Sequence, residues 1–530
     1  MNYDYFFHNA TIIDGSGRDS FVGDVAVQND TIVEVSRSPR IPSGTIIEAK
    51  DMVLCPGFID IHGHSDLEVL RNPSMEPKIG QGITTEVAGN CGVGVFPANE
   101  DSSMLYEQVK DVLGSYPDFG WEHFDRYVED WKKRGSGTNM AFLQAHSALR
   151  CRALSGNPNR PATSDEVDAM VELLKESYEM GCIGFSSGLY YAPCLFADRR
   201  ELLALLAITK YYDRFFAVHI RCEGDDVIES LEEVIDLAKL TGVKLEISHL
   251  KAIGRENQIL VPQMLSLIEK ARMEGVDVLF DQYPYEYGST SLFSLLPPQY
   301  LRLSRDDLQQ VLSSGKERQA IMKMMVDPEG WDSIYALCGW DNVTIVTMDS
   351  NQSYEGMTLT EIASIRNQGP FDAFFDLLQE EKGSAVMTDI TQSQESLKRI
   401  MSHPLMCFGT DALYAGAKGH PRSYQAAIHL LDRYWKQQNV MPLEMMIGKM
   451  TSESASRLGF FDRGRIEVGC KADLVLFDPK TLKDNSSESD PTAVCDGLLM
   501  VMVNGKVALK DGKTTGICSG TILGRKGLYS

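Results

Sequence analysis

The chain has 530 residues, 43% apolar and 24% charged, enough to bury a large core as two or three domains or as one barrel with additions. Its 74 acidic against 51 basic residues leave a formal charge of -23, which excludes nucleic acid and anionic lipid as expected partners because the phosphate field repels such a surface. The opening Met1-Asn2-Tyr3-Asp4-Tyr5 has neither a basic nor an apolar leader segment, and no apolar run approaches the ~18 residues of a membrane span, so a cytoplasmic protein without a membrane partner is expected.

The first fifty residues alternate short strand-like runs with turns: Phe6 to Ile13, Asp14-Gly15-Ser16-Gly17, Asp24 to Val27 and Thr31 to Val35. The same texture returns at Asp473 to Asp478 and Met500 to Val507, the latter with an Asn504-Gly505 turn. Chain ends commonly lie near each other, so residues 1–54 and 464–530 are expected to form one small β-sandwich domain. Between them strand-like and helix-like stretches alternate; the helix near 164–174 opens with Ser164 as its cap and an acidic first turn. Strand then helix, repeated, implies a parallel sheet. Eight candidate strands lie at 58–62, 83–88, 139–145, 182–186, 215–219, 243–249, 276–282 and 405–410, which predicts an α/β fold with a (β/α)8 TIM-type barrel over 55–463 and its site at the carboxyl ends of the strands. Residues 290–350 interrupt the alternation with Pro297-Pro298, a charged helical stretch, Trp331 and Trp340, and are expected to form an inserted subdomain over the barrel mouth, an extended set of loops being the alternative by pattern alone.

Candidate metal ligands fall at those carboxyl ends. His62 and His64, spaced i, i+2, face the same way from the first strand. Cys91 follows the second in Gly89-Asn90-Cys91-Gly92; His219 ends the fifth, His249 the sixth, and Asp411 the eighth. A lone His or Cys is usually a packed core residue. Five donors and an acid all at strand ends make that reading improbable together. The 11 cysteines, without short regular spacing, otherwise read as free thiols in a reducing compartment.

This constellation resembles the amidohydrolase superfamily, and Gly89-Asn90-Cys91-Gly92 looks like the N-acyl-D-amino-acid deacylase (D-aminoacylase) family, in which a cysteine stands where related enzymes carry a carboxylated lysine. Pro56 to Asp60, Gly80 to Thr85, Ser186 to Leu189, Ser248 to Lys251, Tyr283-Pro284-Tyr285 with Gly288-Ser289-Thr290, and His420-Pro421-Arg422 match that family as well, and the likeness covers nearly the whole chain. Cys182 to Gly188 offers no lysine on the fourth strand. The resemblance implies one tightly held Zn2+ on Cys91, His219 and His249, with one coordination position open, and His62 and His64 as a second, weaker position. A catalytic zinc of this kind polarises a carbonyl and lowers the pKa of its water to ~7. Asp411 is expected to act as general base and then as general acid toward the leaving nitrogen; its bland alternative is a helix cap.

Lys251, two residues after His249, points into the same mouth, and Arg422 can grip a carboxylate through two bonds. By resemblance these two hold the substrate carboxylate, with Tyr191, Tyr283 and Ser289 as polar neighbours; a surface salt bridge is the alternative for each cation. Ser291 to Pro298 is apolar and lacks arginine, whereas family members preferring acidic D-amino acids use a cation in this region, so a neutral or apolar side chain is expected; the alternative for this stretch is the core of the insert. The expected reaction converts a small N-acyl-D-amino acid and water to a carboxylate and a D-amino acid. Rival readings are hydrolysis of a cyclic imide, a ureide or a D-residue dipeptide by the same site, or a non-enzymatic scaffold on the same fold. A homo-oligomer is compatible with the sequence.

Overall fold

The computed structural model describes residues 3–38, 44–154, 156–381, 385–414 and 419–524; the outermost residues of the expected terminal domain, 1–2 and 525–530, and its segment 39–43 lie outside this set. Eight parallel strands, Phe58–Asp60, Ile83–Ala88, Asn139–Ala145, Gly184–Gly188, Phe215–His219, Lys244–Ile247, Val278–Gln282 and Met406–Phe408, follow one another around a single sheet. The seam between last and first closes through Ile61 N to Phe408 O (3.2 Å) and Asp411 N to His62 O (2.7 Å). Strands covered on both faces are buried throughout: every residue of the second, third, fourth and fifth strands is buried, the polar Thr84, Thr85, Glu86, Asn139, Gln144, Ser186 and Ser187 among them. Helices such as Ser164–Met180 cover the outside. Its cap is Thr163 and not Ser164: the Thr163 hydroxyl accepts from Glu166 N at 3.4 Å, and Glu166 reaches back to Thr163 N at 2.8 Å.

Both chain ends enter one separate nine-stranded sheet, in which Val53–Pro56 pairs antiparallel with Leu474–Phe477. Strand alternation divides its two faces. Leu54, Leu474, Leu476, Met500 and Met502 pack with Phe7, Val25 and Ile32 in the sheet's own core, while Val53, Cys55, Val475, Phe477, Val501 and Val503 turn to the barrel core. The C-terminal segment then ties back to the third barrel strand, Met140 N donating to Thr521 O (2.9 Å) and Leu523 N to Met140 O (2.7 Å).

The interruption before the eighth strand is longer than the expected 290–350. Strands Tyr287–Ser291, Val343–Met348 and Ala385–Ile390 form an antiparallel sheet with the last of them in the centre, so the unit cannot close before residue 390. Helices Arg305–Leu312, Gly315–Val326, Leu359–Arg366 and Pro370–Glu380 complete it around a core of its own. Leu292, Leu295 and Leu296 belong to that core, fully buried, so most of the apolar segment that suggested a side-chain pocket packs inside the insert. The insert docks on the barrel mouth where Asp332 Oδ2 accepts from the backbone nitrogens of Glu223 (2.5 Å) and Gly224 (2.8 Å). All 11 cysteines are unpaired, and among the described residues no helix is long and apolar enough to cross a membrane.

Candidate active site

The carboxyl ends of the strands aim their side chains by unusual backbone geometry. Cys91, His249 and Asp411 have φ of +52°, +34° and +50°, a left-handed conformation that costs a non-glycine residue about 1–3 kcal/mol and persists only where neighbours enforce it. They do here. Ser186 Oγ accepts from Gly92 N (3.0 Å) and donates to Gly89 O, clamping the turn that carries Cys91. A Cβ on Gly188 would stand 2.2 Å from Cys91 O, so only glycine lets the fourth strand approach that turn. His249 N donates to Asp281 Oδ1 (2.9 Å), and Asp411 N to His62 O.

These turns bring all six predicted residues together. Cys91 Sγ lies 3.2 Å from His62 Nε2 and 3.5 Å from His249 Nε2, and His219 Nδ1 is 2.9 Å from His249 Nε2. The ligand atoms of Cys91, His219 and His249 fall within 4.8 Å of one another, as do those of His62, His64 and Cys91 and those of His62, His249 and Asp411. Asp411 Oδ1 faces His64 Nε2 (3.2 Å) and His62 Nε2 (3.5 Å), while its Oδ2 meets Arg422 Nη1 (2.9 Å).

The chemistry of this donor set fits a divalent cation. Burial opposes ionisation of the Cys91 thiol, yet the adjoining His62 and His249 imidazoles, with a hydrogen bond from His219, hold it well below the ordinary thiol range. Burial and Lys251 oppose the charging of His249, but Glu223 and the Cys91 sulfur push it up to about 9. Burial holds His219 below the ordinary imidazole range, so it stays neutral, and a thiolate beside neutral and proton-gathering imidazoles is the arrangement in which a cation replaces protons. His64 Nδ1, buried without a hydrogen-bond partner among the described residues, is an orphaned donor atom of the same cluster. Soft sulfur with two imidazoles suits zinc.

Asp281 and Glu223 complete the arrangement, and neither stands out in the sequence. Asp281 accepts from His62 Nδ1 (3.0 Å) as well as from His249 N, which leaves His62 Nε2 toward the cation position. Glu223 Oε1 takes Lys251 Nζ at 2.6 Å and His249 Nδ1 at 3.0 Å, doing the same for His249. Glu223 lies four residues beyond the fifth strand, already read as a ligand carrier, and Asp281 lies on the seventh, which carried no predicted ligand, so a carboxylate near a strand end was the available signal. Beneath them Lys78 Nζ, fully buried, joins Asp60 Oδ2 (2.5 Å), Glu86 Oε2 (3.1 Å) and Thr410 Oγ1 (3.1 Å).

Beside this cluster of potential ligands runs a cleft lined by Tyr191, Lys251, Tyr283, Ser289, Asp411 and Arg422, with Asp332 and Asp389 contributed by the insert. Every residue predicted to contact substrate therefore reaches one space. Neither cation is a surface salt bridge: Arg422 is 1% exposed and Lys251 5%. Arg422 also donates from Nη2 to Ser289 O (3.2 Å) and lies 4.8 Å from the Tyr283 ring centre, with its Nε buried and unpartnered among the described residues. Burial would raise Asp411, but Arg422 and His62 beside it hold its carboxyl well below the usual carboxylate range. His146 lies outside this cluster, bonded to Ser187 Oγ (2.9 Å) and Glu201 Oε1 (2.8 Å).

The sequence matches the model of the amidohydrolase family over residues 45–331 and 332–509. A D-aminoacylase of Alcaligenes xylosoxydans xylosoxydans is 30% identical to it over 99% of this chain and 98% of that protein, and an N-acyl-D-aspartate deacylase of the same organism is 30% identical over 97% and 93%. The crystal structure of an N-acyl-D-glutamate deacylase from Bordetella bronchiseptica, complexed with zinc and a phosphonate that mimics the tetrahedral intermediate, superposes with a TM-score of 0.84 at 28% identity, covering 99% of this chain and all of that one. With a family model spanning most of the sequence and a full-length relative at 30% identity, the chain belongs to the amidohydrolase family, in its N-acyl-D-amino-acid deacylase branch, and is by that membership a hydrolase.

Proposed function

We propose that this protein hydrolyses N-acyl-D-amino acids with neutral or apolar side chains, releasing a carboxylate and the free D-amino acid, with Cys91, His219 and His249 holding one zinc ion and His62 and His64 offering a second, weaker position. The observation that carries the reading is the convergence of the Cys91, His219 and His249 ligand atoms within 4.8 Å, beside a cleft that presents two buried cations. When bound, zinc supplies a Lewis acid for the amide carbonyl and lowers the pKa of a water toward ~7.

The chain's own residues do the rest. Lys251 and Arg422 bind the α-carboxylate, Arg422 through the edge that includes its unpartnered Nε, while Tyr191, Tyr283 and Ser289 orient it. This places the scissile amide over the His219 and His249 side of the cluster. Asp411 spans the two halves of the site, Oδ2 on Arg422 and Oδ1 toward His62 and His64. Oδ1 takes the proton of the attacking water and returns it to the amide nitrogen, since an amine leaves readily only once protonated. Asp281 and Glu223 hold His62 and His249 in the tautomers that turn Nε2 inward. The preference for a neutral side chain rests on charge: Lys251 and Arg422, the cleft's lysine and arginine, are both committed to the α-carboxylate, which leaves neither for an acidic side chain.

A panel of N-acetyl-D- and N-acetyl-L-amino acids, assayed for released amine with zinc analysis of the same sample, tests this. The expected result is turnover of N-acetyl-D-Met and N-acetyl-D-Leu well above N-acetyl-D-Glu and above the L-enantiomers. Faster turnover of the acidic substrate overturns the side-chain assignment, and turnover of hydantoins alone overturns the deacylase reading.

A further inference from the structure

A second cavity, of about 650 Å³, adjoins the cleft and shares Tyr191 and Thr290 with it, the Thr290 hydroxyl donating to Tyr191 Oη at 3.2 Å across the partition. It begins at Cys91, Gly92 and Val93 and runs outward between the helix Ser103–Leu113 and the insert. Its position is informative. The carboxylate-binding residues Lys251, Tyr283, Ser289 and Arg422 follow the sixth, seventh and eighth strands. The cavity is floored by residues after the second, third and fourth, Cys91, Ser147 and Cys194, with Tyr191 at the partition between the two spaces. In an eight-stranded barrel these arcs face each other across the mouth, with the metal cluster between them. A substrate whose α-carboxylate sits in the cleft and whose scissile carbonyl lies at the cluster must point its acyl group toward the cavity.

Apolar side chains line it on two sides. Met104 and Val112 face it from the helix, and Phe293, Leu301, Leu303 and Leu308 from the insert. Arg305 Nη2 meets Asp111 Oδ2 at 2.7 Å and the guanidinium lies 3.3 Å over the Phe293 ring, while its Nη1 is buried without a hydrogen-bond partner among the described residues. A space of this size corresponds to a ligand of roughly 300–1,000 Å³ sites, and an acetyl group leaves nearly all of it empty. We infer that the cavity is the acyl-chain site and that the preferred substrates are D-amino acids carrying a long or bulky apolar acyl group. This rests on the deacylase reading above and deepens it.

The test is kcat/KM for a homologous series on one amino acid, N-acetyl-, N-butyryl-, N-hexanoyl- and N-octanoyl-D-Met. Each methylene moved from water to the apolar wall is worth roughly a fourfold gain, so kcat/KM is expected to climb steadily along the series. Val112→Trp and, from the opposite wall, Leu303→Trp fill the space and are expected to lower the octanoyl-to-acetyl ratio of kcat/KM by at least about tenfold; a ratio is insensitive to a variant that merely folds less well. Octanoate is expected to inhibit the unmodified enzyme more strongly than acetate, by the same apolar burial. A flat series with acetyl as good as octanoyl, or ratios unchanged in both variants, overturns the acyl assignment while leaving the deacylase reading intact. Variants that change the ranking of D-Met against D-Ala but not of octanoyl against acetyl overturn it in favour of a side-chain pocket. Hydrolysis of none of the series by zinc-loaded enzyme refutes the deacylase reading itself.

Discussion

Replacing Lys78 by Met removes the single ammonium that holds two carboxylates under the metal cluster. Lys78, Asp60 and Glu86 have fully buried side chains. Burial alone would lower the lysine's pKa, but Asp60 and Glu86 carry it well above the ordinary value, so it is charged throughout the physiological range. At an effective dielectric of about 20, attractions at 2.5 and 3.1 Å are worth roughly 5–7 kcal/mol each. Several kcal/mol of ammonium desolvation offset them, and without the cation the two carboxylates repel across the barrel interior. The expected net loss is about 3–5 kcal/mol, as for other buried charges stripped of their partner. Asp60 also accepts from His62 N (3.1 Å) and from Thr410 N and Oγ1 (2.9 and 2.6 Å), locking the first strand to the eighth, so catalysis should fall by about 100-fold as His62 and Asp411 shift. The assay is urea unfolding of the barrel together with kcat/KM, for Lys78→Met, Glu86→Gln and the double variant. Removing the second charge leaves Asp60 its Thr410 and His62 hydrogen bonds, so the double variant should be more stable than Lys78→Met alone. A loss below about 1 kcal/mol, or strictly additive effects, refutes the reasoning.

Asp411→Asn keeps the size of the side chain and removes the proton acceptor, so kcat should drop by about 10²–10⁴ while zinc content stays at the wild-type level; loss of zinc with the activity would make Asp411 chiefly a ligand. Arg422→Ala should reduce the enzyme's preference for N-acetyl-D-Met over the corresponding carboxamide by about tenfold or more, measured as a ratio of kcat/KM; an unchanged ratio removes Arg422 from carboxylate recognition. Asp281→Asn should weaken zinc affinity by about 10–100-fold in chelator competition, because His62 and the His249 backbone both lose an acceptor charge. Affinity equal to that of the unmodified protein would leave Asp281 a packing role only.

Much of the barrel was legible because its strands are short apolar runs separated by strong helix signals, and because donors at strand ends have a spacing that core residues rarely repeat. Alternation alone put His62 and His64 on one face; the turn of Cys91 depended on the glycines around it, which accommodate its left-handed backbone beside Gly188. What escaped was long-range. Lys78 lies in a four-residue helix, Glu76–Ile79, that looks like surface by sequence, and only the fold carries it inward to Asp60 and Glu86. Glu223 and Asp281 act through partners 28 and 32 positions away in the chain, which no local pattern records. The insert's extent was missed because its central strand, Ala385–Ile390, follows a run of helices that resemble the barrel's own. The leucines of residues 292–296 illustrate the converse: an apolar run next to a site is as readily the core of a neighbouring unit as a pocket wall.

The central claim is that Cys91, His219 and His249 close on one metal ion. Crystals of protein purified without chelators, measured above and below the zinc absorption edge, test it directly. The expected result is an anomalous peak bounded by those three side chains, about 2.3 Å from the sulfur and about 2.0–2.1 Å from each imidazole nitrogen, with Asp411 facing its open side. A peak held only by His62 and His64, or a zinc-saturated crystal in which Cys91 stands away from His219 and His249, would contradict it.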